Sequence, residues 1–270
     1  MSNTMITKHE KKRPMASTLA VVALGLSLSA SLSYASADVR ESQGMNRTQA
    51  TIPSVSETLT ARQQAIIPIA AFAAAGDMAK LNAALNQGLD AGLTVSDAQE
   101  ILVQLYAYAG FPRSLNALGE LINVLEARKQ SGIQDAPGQE PSRAIPKGDA
   151  LLAAGTANQT RLVGGPVQGP LFDFAPAIDE YLKVHLFGAI FERDNLDWQS
   201  RELATVGMLS TLAGAESQLQ SHMSMSMNTG LTASQLRQLA QVLADRVDAE
   251  HARRAREALE RHLATTSGAE

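Results

Sequence analysis

The chain has 270 residues, enough to bury a sizeable core as one or two domains. Apolar residues make up 45% and aromatic residues only 4%, and β-branched runs are scarce, so the composition favours helices over sheets. The net charge of −4, without basic clusters, argues against nucleic acid as a partner, and the lack of cysteine excludes disulfides.

Residues 1–37 have the pattern of a secretory signal peptide. A basic head that ends at Arg13 is followed by an apolar stretch to about Leu32 and by the small residues Ala35-Ser36-Ala37. We therefore expect cleavage near Asp38 and a periplasmic or secreted protein, with no stable membrane insertion after cleavage. Cleavage would remove four basic residues and one acid, which takes the charge from −4 to −7. The alternative is an uncleaved anchor, but serines interrupt the run and it is short for a span.

The first helical unit is predicted over residues 58–130, after a polar and flexible lead-in at 38–57. Apolar residues recur at helix spacing up to Gly76, then from Asp77 towards Gly92. A pattern like a capping box at Thr94 predicts a third helix through Tyr108, and a fourth helix follows from about Arg113 to Lys129.

Residues 131–170 are rich in glycine, proline, serine and glutamine, which predicts a linker or long active-site loop with at most a helical turn around Asp149–Ala154. The second helical unit is predicted over residues 171–264, and it begins with a helix over about Ala177–Phe191. Its last element is predicted as one long charged helix from Gln235 to about Leu263. The small apolar residues of that helix could face a partner subunit: Ala252, Ala255, Leu259 and Leu263.

The two units are an internal repeat. Placing Gly92-Leu93-Thr94 on Gly230-Leu231-Thr232 gives an offset of 138 residues, and the same offset superposes Gly76 on Gly214 and Leu81 on Leu219. Positions that are alike in both copies are explained by folding, whereas positions that differ need another reason. The second copy has ionisable groups where the first has neutral ones: Arg201 replaces Gln63, Glu202 replaces Gln64 and His222 replaces Ala84.

Three stretches carry a resemblance to a known family: RELATVGML…G…QLQSHMSMSMNTGLT, the preceding FAPAIDEYLKVHLFGAIFERDNLD, and GLTVSDAQEILVQLYAYAGFP in the first copy. They resemble the carboxymuconolactone decarboxylase family, which includes the AhpD-like alkylhydroperoxidases, over roughly residues 59–130 and 171–245. The resemblance implies an all-α fold of two tandem units and a homo-oligomer. It also implies an acid and a histidine in the site, here Glu202 and His222.

The peroxidase branch of the family uses a CxxC motif, and the matching positions here hold Ala215 and Gln218, so that branch is excluded. The decarboxylase branch needs no thiol, metal or organic cofactor. There a histidine can protonate the carbon that loses CO2, and a neighbouring carboxylate can orient the ring, which makes His222 and Glu202 the candidate catalytic residues. Arg201 could hold a substrate carboxylate and His185 could line the pocket.

These residues imply a cofactor-independent decarboxylase or lactone-processing enzyme for a small anionic organic molecule. Three alternatives stay open. His222 could be a structural hydrogen-bonding residue, and His222, Glu202 and His185 could together bind a metal, although no compact ligand motif is present. The chain could also be a non-catalytic exported binding or assembly protein that retains the fold.

Overall fold

The computed structural model describes residues 57–267, and every regular element in this range is helical, so the predicted all-α class is confirmed. The predicted signal peptide and all of the predicted lead-in except Glu57 lie outside the described residues. None of the helices within 57–267 combines the length and the apolar character that crossing a membrane requires.

The first unit consists of α1 (Ala61–Ala75), α2 (Met78–Asp90), α3 (Val95–Gln104), the short α4 (Tyr106–Ala109) and α5 (Phe111–Gln130). Local sequence signals begin and end these helices. Thr60 and Thr94 form capping boxes at the starts of α1 and α3, each side chain accepting a backbone N–H three residues later.

The second unit repeats this arrangement in α9 (Trp198–Thr211), α10 (Glu216–Asn228), α11 (Ala233–Arg246) and α12 (Ala249–Ser267). α10 begins and ends 138 residues after α2, as the sequence repeat predicts. Gly76 and Gly214 occupy equivalent turns with φ of 78° and 83°, a left-handed conformation that glycine adopts without steric cost. The two copies therefore share backbone geometry as well as sequence pattern.

Residues between the units are more ordered than the sequence suggested. The segment predicted as a linker or loop contains α6 (Asp149–Val163), a helix of 15 residues, and α7 (Pro170–Phe174) begins at its end. α8 (Pro176–Tyr181) then continues into a π-helix (Leu182–Ile190). α6 packs against the π-helix so closely that a Cβ at Gly155 would lie 1.7 Å from the Lys183 carbonyl oxygen. The alanine and glycine face of α6 gives no strong apolar period, which is why the sequence did not reveal it.

The predicted single C-terminal helix is wrong, because the chain turns at Val247 and Asp248. The Asp248 carboxylate accepts the backbone N–H groups of Glu250 and His251 and so starts α12, which folds back against α11. Ala252, Ala255 and Leu259 are buried within the chain and are not free for a partner subunit. A homo-oligomer stays a prediction.

The core is centred on α1 and α9, equivalent helices of the two copies that make the most extensive contact between elements. Nearly every side chain of α1 from Ala65 to Ala74 is buried, as expected for a helix surrounded by others. Gly207 of α9 lies where the helices approach: a Cβ there would be 2.9 Å from the Ile67 carbonyl oxygen. This contact fixes α9, and with it the side chains of Arg201 and Glu202.

We expect Gly207→Ala to destabilise the protein. Forcing a methyl group against the α1 backbone costs about 1–3 kcal/mol, which exceeds the gain of roughly 1 kcal/mol from replacing glycine in a helix. Gly119→Ala in α5 is the matched control, since a Cβ there meets no atom within 4 Å, and it should raise stability by about 0.5–1 kcal/mol. Urea unfolding measures both. A higher unfolding free energy for the Gly207→Ala variant would contradict the close packing of α9 on α1.

Candidate active site

The structure brings Glu202 and His222 together from two adjacent helices of the second unit. Glu202 lies on α9 and His222 on α10, and the Glu202 Oε2 to His222 Nδ1 distance is 2.8 Å. The side chains are 0% and 7% exposed. An ionised carboxylate can only accept, so Nδ1 carries the proton and donates it. The ring orientation is thereby fixed, and in the neutral ring the lone pair is on Nε2.

His222 also lines a cavity of about 710 Å³. The walls are mainly apolar and include Leu186, Phe187, Leu209 and Met225. Amides and hydroxyls supply most of the polar lining, and no lysine or arginine of residues 57–267 is part of it. The volume and the apolar character are typical of sites for small organic molecules. His222 is thus held by a hydrogen bond at Nδ1 and also lines a ligand-sized space.

Tyr108 is a cavity residue that the sequence reasoning missed. It comes from α4 of the first unit, and its ring contacts the His222 ring edge-on with centroids 5.7 Å apart. Its hydroxyl oxygen accepts a hydrogen bond from Thr205 at 3.2 Å. Burial and the negative charge of Glu202 raise the pKa of Tyr108, so it is protonated at neutral pH. The equivalent position of the second copy is Arg246. The two copies therefore differ at this position, and that difference is the sequence signal that could have identified Tyr108.

Arg201 lies away from the cavity, which corrects its predicted contact with substrate. The side chain is 0% exposed and its guanidinium donates to Glu100 of α3 at 3.0 Å and to the Arg193 carbonyl oxygen at 2.8 Å. Consecutive residues of a helix point about 100° apart, so Arg201 faces the first unit while Glu202 faces α10. Burial lowers the pKa of Arg201, an effect that Glu100 opposes. Arg201 therefore joins the two units.

Glu100 is the acceptor for both arginines. Arg193 reaches the same carboxylate at 2.6 Å from the other side, and the Asn195 amide donates to it at 3.1 Å. Burial raises the pKa of Glu100, but the hydrogen bonds from Arg193 and Arg201 outweigh burial and hold this pKa below its usual value. Glu100 is thus ionised at neutral pH, as a buried partner of two guanidinium groups should be.

His185 is also placed outside the main cavity. It is exposed on the π-helix and faces a neighbouring depression of about 260 Å³, where its ring centroid lies 5.7 Å from that of Tyr181. The alternative metal set of His222, Glu202 and His185 is not assembled. Across the part of the chain that the structure describes, no three histidine or acidic side chains are grouped to bind a metal.

Comparison with known proteins identifies a family. The model of the carboxymuconolactone decarboxylase family matches residues 44–122 and 176–261, which together are more than half of the chain. The first matched segment contains α1 to α4 and the start of α5, and the second runs from α8 into α12. Residues 123–175, which contain α6 and α7, lie between them. No curated protein matches the chain significantly.

We expect Glu100→Gln to cost about 3–5 kcal/mol of unfolding free energy, because it leaves the buried charge of Arg201 without its counter-ion. The side-chain volume is nearly unchanged, so packing does not account for a loss of that size. Glu126→Gln on the exposed surface of α5 is the control and should change stability by less than about 0.5 kcal/mol. Equal effects of the two substitutions in denaturant unfolding would contradict the structural role of Arg201.

We expect Tyr108→Phe to reduce the loss of stability in alkali. The raised pKa means that the unfolded chain ionises first, so this group stabilises the fold below its ordinary pKa of about 10 and loses that contribution as the pH rises further. The slope from this group is at most about 1.4 kcal/mol per pH unit. Unfolding free energies at about pH 8 and about pH 10.5 measure it, with the exposed Tyr181→Phe as the control. If Tyr108→Phe lowers the unfolding free energy by the same amount at both pH values, the raised pKa of Tyr108 is contradicted.

Proposed function

The chain belongs to the carboxymuconolactone decarboxylase family, and we propose that it is a cofactor-independent decarboxylase or lactone-processing enzyme acting on a small carboxylated compound. His222 is the general acid and base, and Glu202 is the positioning carboxylate. One observation carries the proposal: the imidazole is held at Nδ1 by a buried carboxylate and its ring lines a ligand-sized cavity.

In decarboxylation, the bond between the carboxylate carbon and its neighbour breaks, and its electron pair is delocalised into an adjacent carbonyl group as an enolate. The His222 imidazolium donates its Nε2 proton to the enolate carbon, and the ring then recovers a proton from water. Overall, one carboxylate and one proton give CO2 and a C–H bond. Glu202 stabilises the imidazolium that is present before the donation and formed again when the ring recovers its proton. With a lactone, the neutral ring would act as the base that activates water at the carbonyl carbon.

The cavity lining favours loss of CO2. Arg201, the expected anchor of a substrate carboxylate, is paired with Glu100 away from the cavity, and no arginine or lysine within residues 57–267 lines the cavity. A carboxylate placed among apolar walls without a cation is poorly stabilised, whereas the transition state spreads its charge over the substrate. The lining therefore supports a substrate with a single carboxylate at the reacting end, held mainly by its apolar part.

Export is also part of the proposal. The basic head, the apolar stretch and the small residues Ala35-Ser36-Ala37 support cleavage near Asp38 and activity in the periplasm or outside the cell. An enzyme that needs neither thiol nor cofactor suits that environment, because it depends on no cytoplasmic reductant and no supply of coenzyme.

We expect the double substitution Glu202→Gln with His222→Ala to abolish catalysis while the fold is retained. These are the residues of the first copy at the equivalent positions, Gln64 and Ala84, so the repeat itself shows that the scaffold accommodates the pair. His222→Ala alone should be less stable than the double variant by about 1–3 kcal/mol, because it leaves the Glu202 carboxylate buried without its partner.

Activity can be measured without knowing the substrate. The wild-type protein should catalyse exchange of the α-hydrogens of γ-butyrolactone and of simple 3-oxo acids in heavy water, followed by NMR, and CO2 release from the 3-oxo acids. The double variant should show neither activity above the buffer rate while its thermal midpoint stays within a few degrees of wild type. Equal rates for wild type and double variant would leave His222 a structural residue and favour a non-catalytic binding protein.

A further inference from the structure

A second cavity, of about 680 Å³, adjoins the one that His222 lines. Three side chains form a common wall between the two spaces, since each lines both cavities: Gln159, Val167 and Phe172. Val167 lies in the irregular stretch after α6 and Phe172 lies in the short α7, and both residues are half-buried. The two cavities therefore adjoin each other at these side chains.

The chemistry of the second cavity is opposite to that of the first. Its lining includes the hydroxyls of Thr156 and Thr160, the Gln168 amide and the ion pair between Asp179 and Lys183. With Asp173, the ionisable groups of this lining are two acids and one lysine. The Asp179 Oδ1 atom is buried and accepts no hydrogen bond from the described residues. This balance disfavours an anion and favours an uncharged group that donates a hydrogen bond, such as a hydroxyl or an amide.

Gln159 stands at the junction of the two cavities. The residue is only 4% exposed, yet its amide makes no hydrogen bond to any residue between 57 and 267. Because this amide lines both cavities and has no hydrogen-bond partner among the described residues, the side chain is suited to a polar group of a ligand that extends from one cavity to the other. Its neighbour Asn158, by contrast, is held by the Phe187 carbonyl and by Glu192.

The second cavity is built mostly from residues outside the family match. All but three of its lining residues lie within residues 123–175, and the exceptions are Pro176, Asp179 and Lys183. The helical repeats supply His222 and Glu202, whereas the inserted segment supplies the polar space and the common wall. The polarity of this cavity is therefore set mainly by a part of the chain that the family pattern does not describe.

We propose that the two cavities form one binding site for an elongated amphiphile. Its apolar body with the reacting carboxyl or lactone end fills the cavity beside His222, and an uncharged hydrogen-bonding end occupies the polar cavity formed by Thr156, Gln168 and Asp179. Gln159, which also lines the polar cavity, forms a hydrogen bond with the same uncharged end. The orientation of the ligand, with its reacting end beside His222, rests on the proposed function. The proposal that the two cavities form one binding site does not depend on that function.

The test is calorimetric binding of three probes to the full chain: 12-hydroxydodecanoic acid, dodecanoic acid and hexanoic acid. The hydroxylated acid should bind about tenfold more tightly than dodecanoic acid, because only its far end satisfies the unpaired groups of the polar cavity. Gln159→Leu, which removes the amide with little change of volume, should reduce that preference. Equal affinities for the two long acids, in wild type and in Gln159→Leu, would overturn the proposal.

A second variant tests whether the ligand spans both cavities. Val167→Trp should weaken binding of both long acids at least tenfold by filling the junction, and should leave the affinity of hexanoic acid unchanged. Ile133→Trp, at an exposed site, is the matched control and should change none of the affinities. A loss shared by long and short acids would overturn the proposal, and if Val167→Trp does not fold, the Gln159→Leu comparison decides alone.

Both binding comparisons, with Gln159→Leu and with Val167→Trp, are independent of catalysis. In the double variant Glu202→Gln with His222→Ala, the preference for the hydroxylated acid should persist, because the groups that bind the hydroxyl remain. A wild-type protein that ranks the probes as expected but exchanges no α-hydrogens would disprove the proposed function and leave the amphiphile site standing. A protein that catalyses exchange but binds the two long acids equally would disprove the amphiphile site and leave the proposed function standing.

Discussion

The buried ion pair between Arg201 and Glu100 is the constraint on which the site depends. A guanidinium that is 0% exposed needs a counter-charge, and here that charge comes from α3 of the first unit. The pair holds the first turn of α9 against the other copy. The next residue, Glu202, then points to α10 and meets His222. One turn of helix thus carries a cation that joins the two units and an anion that orients the imidazole. The close approach of α9 to α1 at Gly207 fixes the same helix further along.

The repeat separates what the fold needs from what the site adds. In the first copy, Gln64 and Ala84 occupy the positions of Glu202 and His222, and the helices around them pack in the same way. A scaffold that is stable with an amide and a methyl group does not require an acid and an imidazole. The first copy still contributes to the site, because Tyr108 contacts His222 and lines the cavity. The two copies are therefore unequal: one carries the acid–histidine pair, and the other supplies part of the wall and the counter-ion of Arg201.

The sequence predicted the elements whose signals are local. Capping residues and glycine turns recur at the offset of 138 residues, and they set the bounds of α2, α3, α10 and the start of α11. It failed where the decisive partner is distant in the chain. Nothing near Arg201 shows that Glu100 will neutralise it. The turn at Val247 has neither glycine nor proline, and its one local signal is Asp248, the residue that caps the start of α12. α6 was missed because it packs through a close backbone contact at Gly155. Such a contact leaves no apolar periodicity in the sequence.

The placement of these parts suggests how one scaffold can serve different ligands. Acid–base chemistry depends on the distance between Glu202 and His222, and rigid helices of the repeat fix that distance. Selection of a ligand depends on the walls around the imidazole, and many of these come from α6, α7 and the stretch between them. We expect changes in that stretch to alter the shape and polarity of the site with little effect on α9, because α6 packs mainly on the π-helix. On the proposed function, proton transfer and substrate choice would therefore be determined by different segments of the chain, and each could change while the other is retained.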